Sequence, residues 1–260
     1  MEFANLDFAT ALLLGAAALL AGFIDAIAGG GGMLVMPALL STGMPPHLVV
    51  GTNKLVGTFG TLSASLTFIR KGLFQPALWW AMSLGTFVGA LTGAVLIYLM
   101  SAGVLKKLLP LAILLAAAYL AWPRRARPAS VVRLEPPLGP DSVRRGVKLL
   151  TGGLIGFYDG FIGPGTGAFW MAAAMKLFRL DLVAAAGVAR FMNFISNITA
   201  LLTFMILGNI DYAIGLTMGA TLMLGAFVGA HSAIRYGAPF IRPVFLLVVL
   251  IMAGRLLMAG

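Results

Sequence analysis

Apolar residues run along this chain in blocks of about twenty, the length at which an α-helix crosses roughly 30 Å of hydrocarbon. The blocks fall near residues 8–28, 47–69, 75–100, 104–122, 147–162, 182–207, 211–234 and 240–259. Two shorter apolar stretches, Met33 to Thr42 and Ala168 to Phe178, follow glycine-rich breaks and are about half as long as a crossing requires. The pattern predicts a half-helix or re-entrant segment at each place. Between Pro123 and about Val143 the helical periodicity lapses into a Pro- and Arg-rich stretch, which reads as a linker.

The two sides of that linker repeat each other. Gly22-Phe23-Ile24-Asp25, with Gly29 and Gly31 beyond, recurs 134 residues later as Gly156-Phe157-Tyr158-Asp159 with Gly163 and Gly165. Leu84-Gly85-Thr86-Phe87-Val88-Gly89-Ala90 recurs 140 residues later as Leu224-Gly225-Ala226-Phe227-Val228-Gly229-Ala230. The expected architecture is an all-α integral membrane protein with about eight transmembrane helices in two homologous four-helix repeats. These are 1–122 and 144–260, joined by a basic cytoplasmic linker, 123–143. Each repeat contains one glycine-broken half-helix or re-entrant segment.

Composition supports a bilayer. Hydrophobic residues make up 60% of the chain and charged residues 10%, with a mean hydropathy of +1.01, more apolar surface than a soluble core of 260 residues hides. The net charge of +10 would raise nucleic acid as a partner in a soluble protein. Here Arg124, Arg125, Arg127, Arg133, Arg144, Arg145 and Lys148 gather in or beside the linker without interleaved aromatics, as the positive-inside rule expects of a cytoplasmic segment. No nucleic-acid partner is expected; the bilayer is. The chain has no cysteine, which excludes disulfides and thiolate chemistry. Ala26-Ile27-Ala28 resembles a signal-peptidase site, but no basic residue precedes it, so the segment reads as a retained first span.

Two orientations stay open. Four crossings per half would make the halves parallel, with Arg70-Lys71 inside and Lys106-Lys107 and Arg235 outside. Five crossings per half would invert one half relative to the other.

Candidate chemistry lies inside the apolar runs. Lys54 sits seven residues into the second block and Arg190 about eight into the sixth, at matching places between the repeated landmarks. A cation at that depth costs at least roughly 2.5–3.5 kcal/mol, so it faces a cavity, a carboxylate or a bound anion unless it snorkels to the interface. Thr52, Asn53 and Thr58 accompany Lys54. Asn193, Ser196 and Asn197 accompany Arg190, with Arg190, Asn193 and Asn197 on one helix face. A planar guanidinium and a point-charge ammonium suit a small oxyanion. The breaks Gly29–Gly32 and Gly163–Gly167 would add backbone N–H groups and half-helix N-termini, placing Gly30, Gly31, Gly165 and Thr166 among the candidate substrate contacts. Asp25 and Asp159, near the ends of the first and fifth blocks, are open to two roles: proton coupling, or ion pairs with Lys54 or Arg190. Gly85/Gly89 and Gly225/Gly229 read instead as tight helix packing.

His47 and His231 do not make a metal site, and the fourteen methionines form no dense cluster. Trp79, Trp80, Trp122, Tyr98 and Tyr119 read as interfacial anchors. Catalytic signatures such as H-E-x-x-H, G-x-S-x-G and the P-loop are missing. No enzyme activity, cofactor or metal is expected, and transport would draw on a gradient.

The motifs G-F-I-D-A-I-A-G-G-G-G from Gly22, G-T-N-K at 51–54, G-F-Y-D-G-F-I-G-P-G-T-G at 156–167 and R-F-x-N-F-x-S-N at 190–197 resemble the TauE/SafE family of sulfite-exporter-like membrane proteins. The resemblance covers essentially the whole chain. It implies secondary transport of a sulfur-containing or other organic anion, such as sulfite, sulfoacetate or another sulfonate, across a prokaryotic plasma membrane. The resemblance chooses neither the substrate nor the direction; export is the direction expected, and proton coupling stays open. Similar proteins often carry a lysine where Arg190 stands. Two alternatives remain: a non-transporting membrane scaffold for a partner enzyme, and a passive anion channel.

Overall fold

The computed structural model describes residues 8–121 and 141–258, and every regular element among them is helical. In order these are α1 (Phe8–Ala28), α2 (Gly32–Ser41), α3 (Pro46–Arg70), α4 (Trp80–Tyr98), α5 (Ala102–Ala121), α6 (Asp141–Phe161), α7 (Thr166–Leu177), α8 (Leu182–Ile206) and α9 (Tyr212–Met258). The bounds have local causes. Pro46 occupies the first turn of α3, where its missing N–H costs nothing. Asp181 caps α8 by accepting from the N–H groups of Val183 and Ala184 at 2.9 and 3.0 Å. α9 joins the last two expected spans, broken at Gly237, whose backbone leaves the helical region at φ 61° and ψ −152°.

Four segments are long and apolar enough to cross a membrane among the described residues: Phe8–Ala28, Pro76–Tyr98, Leu182–Ile206 and Tyr212–Gly237. α3, α5 and α6 correspond to other expected blocks and are of similar length. Polar residues dilute two of them: Thr52, Asn53, Lys54 and Thr58 in α3, and Arg144, Arg145 and Lys148 in α6. α6 begins at Asp141, so Arg144, Arg145 and Lys148, beside the expected linker, lie on its first turns. Lys148 donates to the Leu78 carbonyl and lies 4.6 Å from the Trp79 ring centroid, pinning the 3₁₀ turn Pro76–Trp79 to α6. Trp122, Arg124, Arg125, Arg127, Arg133 and the Tyr119 side chain lie outside the described residues.

Buried apolar residues form two clusters at opposite ends of the long helices. One holds Leu14 of α1, Val49 and Leu55 of α3, Ile97 of α4, Phe204 of α8 and Ile214 of α9. The other holds Ile27 of α1, Phe68 of α3, Met82 of α4, Val188 of α8 and Ala230 of α9. α1 runs from the first cluster to the second; α6 runs the other way, from Val147 beside the second to Ile162 in the first. The short helices double back. α2 returns Val35, Met36 and Leu39 to the first cluster, and α7 returns Trp170, Met171 and Ala174 to the second. Arg70, Lys71, Lys176 and Arg235 all sit at the second cluster's end, and Lys106 and Lys107 at the first's.

Glycines set the closest helix contacts. A Cβ on Gly85 or Gly89 of α4 would stand 2.2 Å from a carbonyl oxygen of α6, and one on Gly225 of α9 would stand 2.0 Å from the Leu19 carbonyl of α1. α4 therefore meets α6, and α9 meets α1, backbone to backbone, the small-residue packing that serves where lipid supplies no hydrophobic drive between helices. Gly89→Ala is expected to lower stability in detergent by about 1–3 kcal/mol through overpacking. Gly103→Ala, with nothing within 4 Å of the added carbon, is expected to stay within about 0.5 kcal/mol. Thermal unfolding of the two purified variants checks this; equal stabilities would contradict the packing.

Candidate functional site

The charged groups flagged inside the apolar runs meet near the middle of the bundle, where the two short helices begin. Lys54 and Arg190 are wholly buried, so neither snorkels to an interface. Each is paired with an aspartate from the other half of the chain. The Lys54 Nζ stands 2.7 Å from Asp159 Oδ1 and also donates to the Asp159 backbone carbonyl. Ser196 donates to the remaining carboxylate oxygen, Oδ2. Arg190 Nη1 stands 3.3 Å from Asp25 Oδ2 and donates to the Asp25 carbonyl, while the Gly31 N–H donates to Asp25 Oδ1 at 2.9 Å. Unpaired, any one of these ions would be prohibitive at this depth; crossed pairing makes all four tolerable.

The breaks supply the geometry. Gly29, Gly163 and Gly165 adopt positive φ of 85°, 90° and 75°, a conformation that L side chains rarely take. The breaks also touch: a Cβ on Gly29 would lie 2.3 Å from the Gly167 carbonyl carbon, and one on Gly167 would lie 2.5 Å from the Gly29 Cα. α2 and α7 start at this contact, and neither start carries a side-chain cap. The N–H groups of Met33, Leu34, Val35, Thr166, Ala168 and Phe169 bond back to carbonyls of the two breaks, and the positive ends of both dipoles are directed at the space between them.

That space is a cavity with about 400 Å³ not filled by atoms, part of it open to the exterior. Asn53, Asn193 and Asn197 line it with amides, Thr166 with the start of α7, and Asp25 and Asp159 with carboxylates. The backbone of both breaks forms the rest of the wall, while Val35 and Leu222 contribute apolar side chains from the first core cluster. Asn197 Nδ2 donates to Asn193 Oδ1 at 3.2 Å, one turn apart on α8.

Of the residues expected here, Asp25, Asp159, Asn53, Asn193, Asn197, Gly31, Gly165 and Thr166 line the cavity. Lys54, Arg190 and Ser196 stand behind that wall, acting on the carboxylates. Two lie elsewhere. Thr52 accepts from the Asp211 N–H at 2.9 Å, tying α3 to the start of α9. Gly30 keeps its carbonyl on the Met33 N–H within the turn. Gly57 and Thr61 were missed as lining residues; with Asn53 they recur every four residues along one face of α3, and that stripe was readable. His47 packs edge-on against Tyr98 at 6.4 Å between centroids, and His231 binds the Phe227 carbonyl at 2.9 Å. Among the described residues no group of three or more His, Cys, Asp or Glu could hold a metal.

Residues 14–256 match the family model described as sulfite exporter TauE/SafE. A probable membrane transporter protein of Haemophilus influenzae is 38% identical, over 91% of this chain and 90% of its own length. The probable membrane transporter protein YfcA of Escherichia coli K12 is 37% identical, over 98% and 93%. A Bacillus subtilis relative, the probable membrane transporter protein YunE, is 26% identical over 94% and 96%. No solved structure matches.

Because each ion is buried, removing one partner strands the other. Lys54→Met is expected to cost roughly 3–5 kcal/mol of stability, and adding Asp159→Asn to that variant is expected to recover a substantial part. A double-mutant cycle by detergent unfolding measures the coupling; additive losses would show that the pair does not interact.

Proposed function

This chain belongs to the sulfite exporter TauE/SafE family and is a multi-pass membrane transporter, and from that premise we propose that it is a secondary permease for a small oxyanion. The substrate class is sulfur-containing or organic: sulfite, sulfoacetate or another sulfonate. One observation carries the anion reading: two uncapped helix starts and three side-chain amides converge on a buried cavity with two cations behind it. Lys54 and Arg190 balance Asp25 and Asp159, so the formal charges sum to zero. What remains is the partial positive charge of the helix starts and a set of N–H donors, an environment suited to an anion.

The carboxylates on the cavity wall offer a route to coupling. A proton on Asp25 or Asp159 would release its cation toward an entering anion and keep the site's charge balanced. The direction we propose is export, across a prokaryotic plasma membrane, a setting that the bacterial sources of the relatives support. The scaffold alternative shares the paired cations but calls for a packed interior, which the cavity disfavours.

Two homologous repeats of inverted orientation account for several features together. The repeated motifs, the opposite courses of α1 and α6 between the two clusters, and the doubled contacts α4–α6 and α9–α1 all follow from one operation. Inversion also gathers Arg70, Lys71, Lys176 and Arg235 at one end, the cytoplasmic end under the positive-inside rule, and leaves Lys106 and Lys107 outside. It replaces the parallel arrangement in which Arg235 lay outside.

Proteoliposomes decide the function. Saturable flux of at least one of sulfite, sulfoacetate, thiosulfate and small carboxylates is expected, falling about tenfold or more in Asn193→Leu, which removes a donor from the cavity wall. Absence of flux for the whole panel would refute the permease. Topology is checked separately, since the chain has no native cysteine. Lys71→Cys, Lys176→Cys and Arg235→Cys are expected to label from one side of the membrane and Lys106→Cys from the other; Arg235→Cys labelling with Lys106→Cys would contradict the inversion.

A further inference from the structure

We infer that the two ion pairs divide the work: Arg190 is the cation that receives the transported oxyanion, and Lys54 is a positioning residue that fixes Asp159. This rests on the permease reading above and assigns its binding contact.

The pairs share a pattern but not a degree of satisfaction. The Lys54 ammonium has both the Asp159 carboxylate, at 2.7 Å, and the Asp159 carbonyl. Ser196 occupies the other carboxylate oxygen, so every side-chain polar atom of this pair has a partner. Arg190 is open. Its Nη1 serves the Asp25 carbonyl and, at a longer 3.3 Å, Asp25 Oδ2. Its Nε and Nη2 are buried with no hydrogen-bond acceptor, although the residue is 0% exposed. A guanidinium carries five N–H donors in a rigid fork. One edge of it has no acceptor from the protein, and a buried donor edge of this kind calls for an acceptor that comes from outside the chain.

Both cations lie directly behind a cavity-lining glycine: a Cβ on Gly167 would stand 2.9 Å from Arg190 Nη2, and one on Gly163 would stand 2.8 Å from Lys54 Nζ. What differs is that behind Gly167 two N–H-bearing atoms, Nε and Nη2, have no acceptor, beside the start of α7, which has no side-chain cap. Nε–H and Nη2–H point in parallel and match two oxygens of one sulfite, sulfonate or carboxylate group, a match that an ammonium cannot reproduce. Asp25 is also the more accessible partner, its side chain 11% exposed against 2% for Asp159. An entering oxyanion takes the Nε–Nη2 edge, while Asp25 keeps Nη1 and the Gly31 N–H.

The test is a split between KM and maximal rate for sulfite and methanesulfonate flux in proteoliposomes. Arg190→Lys, which keeps the charge and loses the fork, is expected to raise KM about tenfold or more. Lys54→Arg and Ser196→Ala, which disturb the Asp159 clasp, are expected to lower the maximal rate and keep KM within about threefold. An unchanged KM in Arg190→Lys, or an equal rise in Lys54→Arg, overturns the inference while wild-type flux leaves the permease standing. If wild-type protein moves neither anion, the assignment falls, while the permease reading is decided by the wider panel above. Should Arg190→Lys not fold, competition on the wild type decides. Chloride, which offers no pair of oxygens, is expected to inhibit sulfite flux at least about tenfold more weakly than methanesulfonate, and equal inhibition overturns the assignment.

Discussion

Placing a positive side chain in the middle of a bilayer protein obliges the rest of the fold to answer it. Lys54 and Arg190 are both wholly buried, and each finds its counter-ion on the opposite half of the chain. Neither half satisfies its own charges. The first half contributes a cation and a carboxylate that match the second half's carboxylate and cation, so the halves are held in one register by four charges. Buried pairs of this kind add little net stability over apolar packing, yet breaking one is costly. Their effect is to specify how the halves meet, and the cavity lies at that meeting.

The glycine breaks follow from the same demand. For Lys54 to reach the Asp159 carbonyl and Arg190 the Asp25 carbonyl, the helices bearing those aspartates must end nearby and expose backbone oxygen. Interrupted helix is stable at membrane depth only where protein or a wet cavity takes up its polar groups. Here the cations take carbonyl groups from the ends of α1 and α6, most first-turn N–H groups of α2 and α7 bond back within their own breaks, and the positive ends of both dipoles face the cavity.

Much of this was legible in the sequence, because membrane helices declare themselves by length and buried ions by rarity. The expected blocks agree closely with the observed helices: 47–69 against Pro46–Arg70, and 182–207 against Leu182–Ile206. The aspartates, asparagines and broken segments were identified as one polar site, and the cavity gathers most of them. What the sequence withheld was partnership. Nothing local to Lys54 says that its partner is Asp159, since that choice depends on how two halves pack. Thr52 was grouped with its neighbour Asn53, but adjacent helical residues point about 100° apart, and Thr52 faces the start of α9 instead. The courses of the short helices were also hidden, because ten apolar residues do not say whether the segment doubles back or continues across.

The most direct measurement is a crystallographic anomalous map of the protein soaked with selenite, whose selenium marks the place of a sulfite-like oxyanion. The account predicts a peak in the cavity between the starts of α2 and α7, with its oxygens about 3 Å from Arg190 and the amides of Asn53, Asn193 or Asn197. A peak confined to the exposed lysines and arginines at the bundle ends, with the cavity blank, would contradict it.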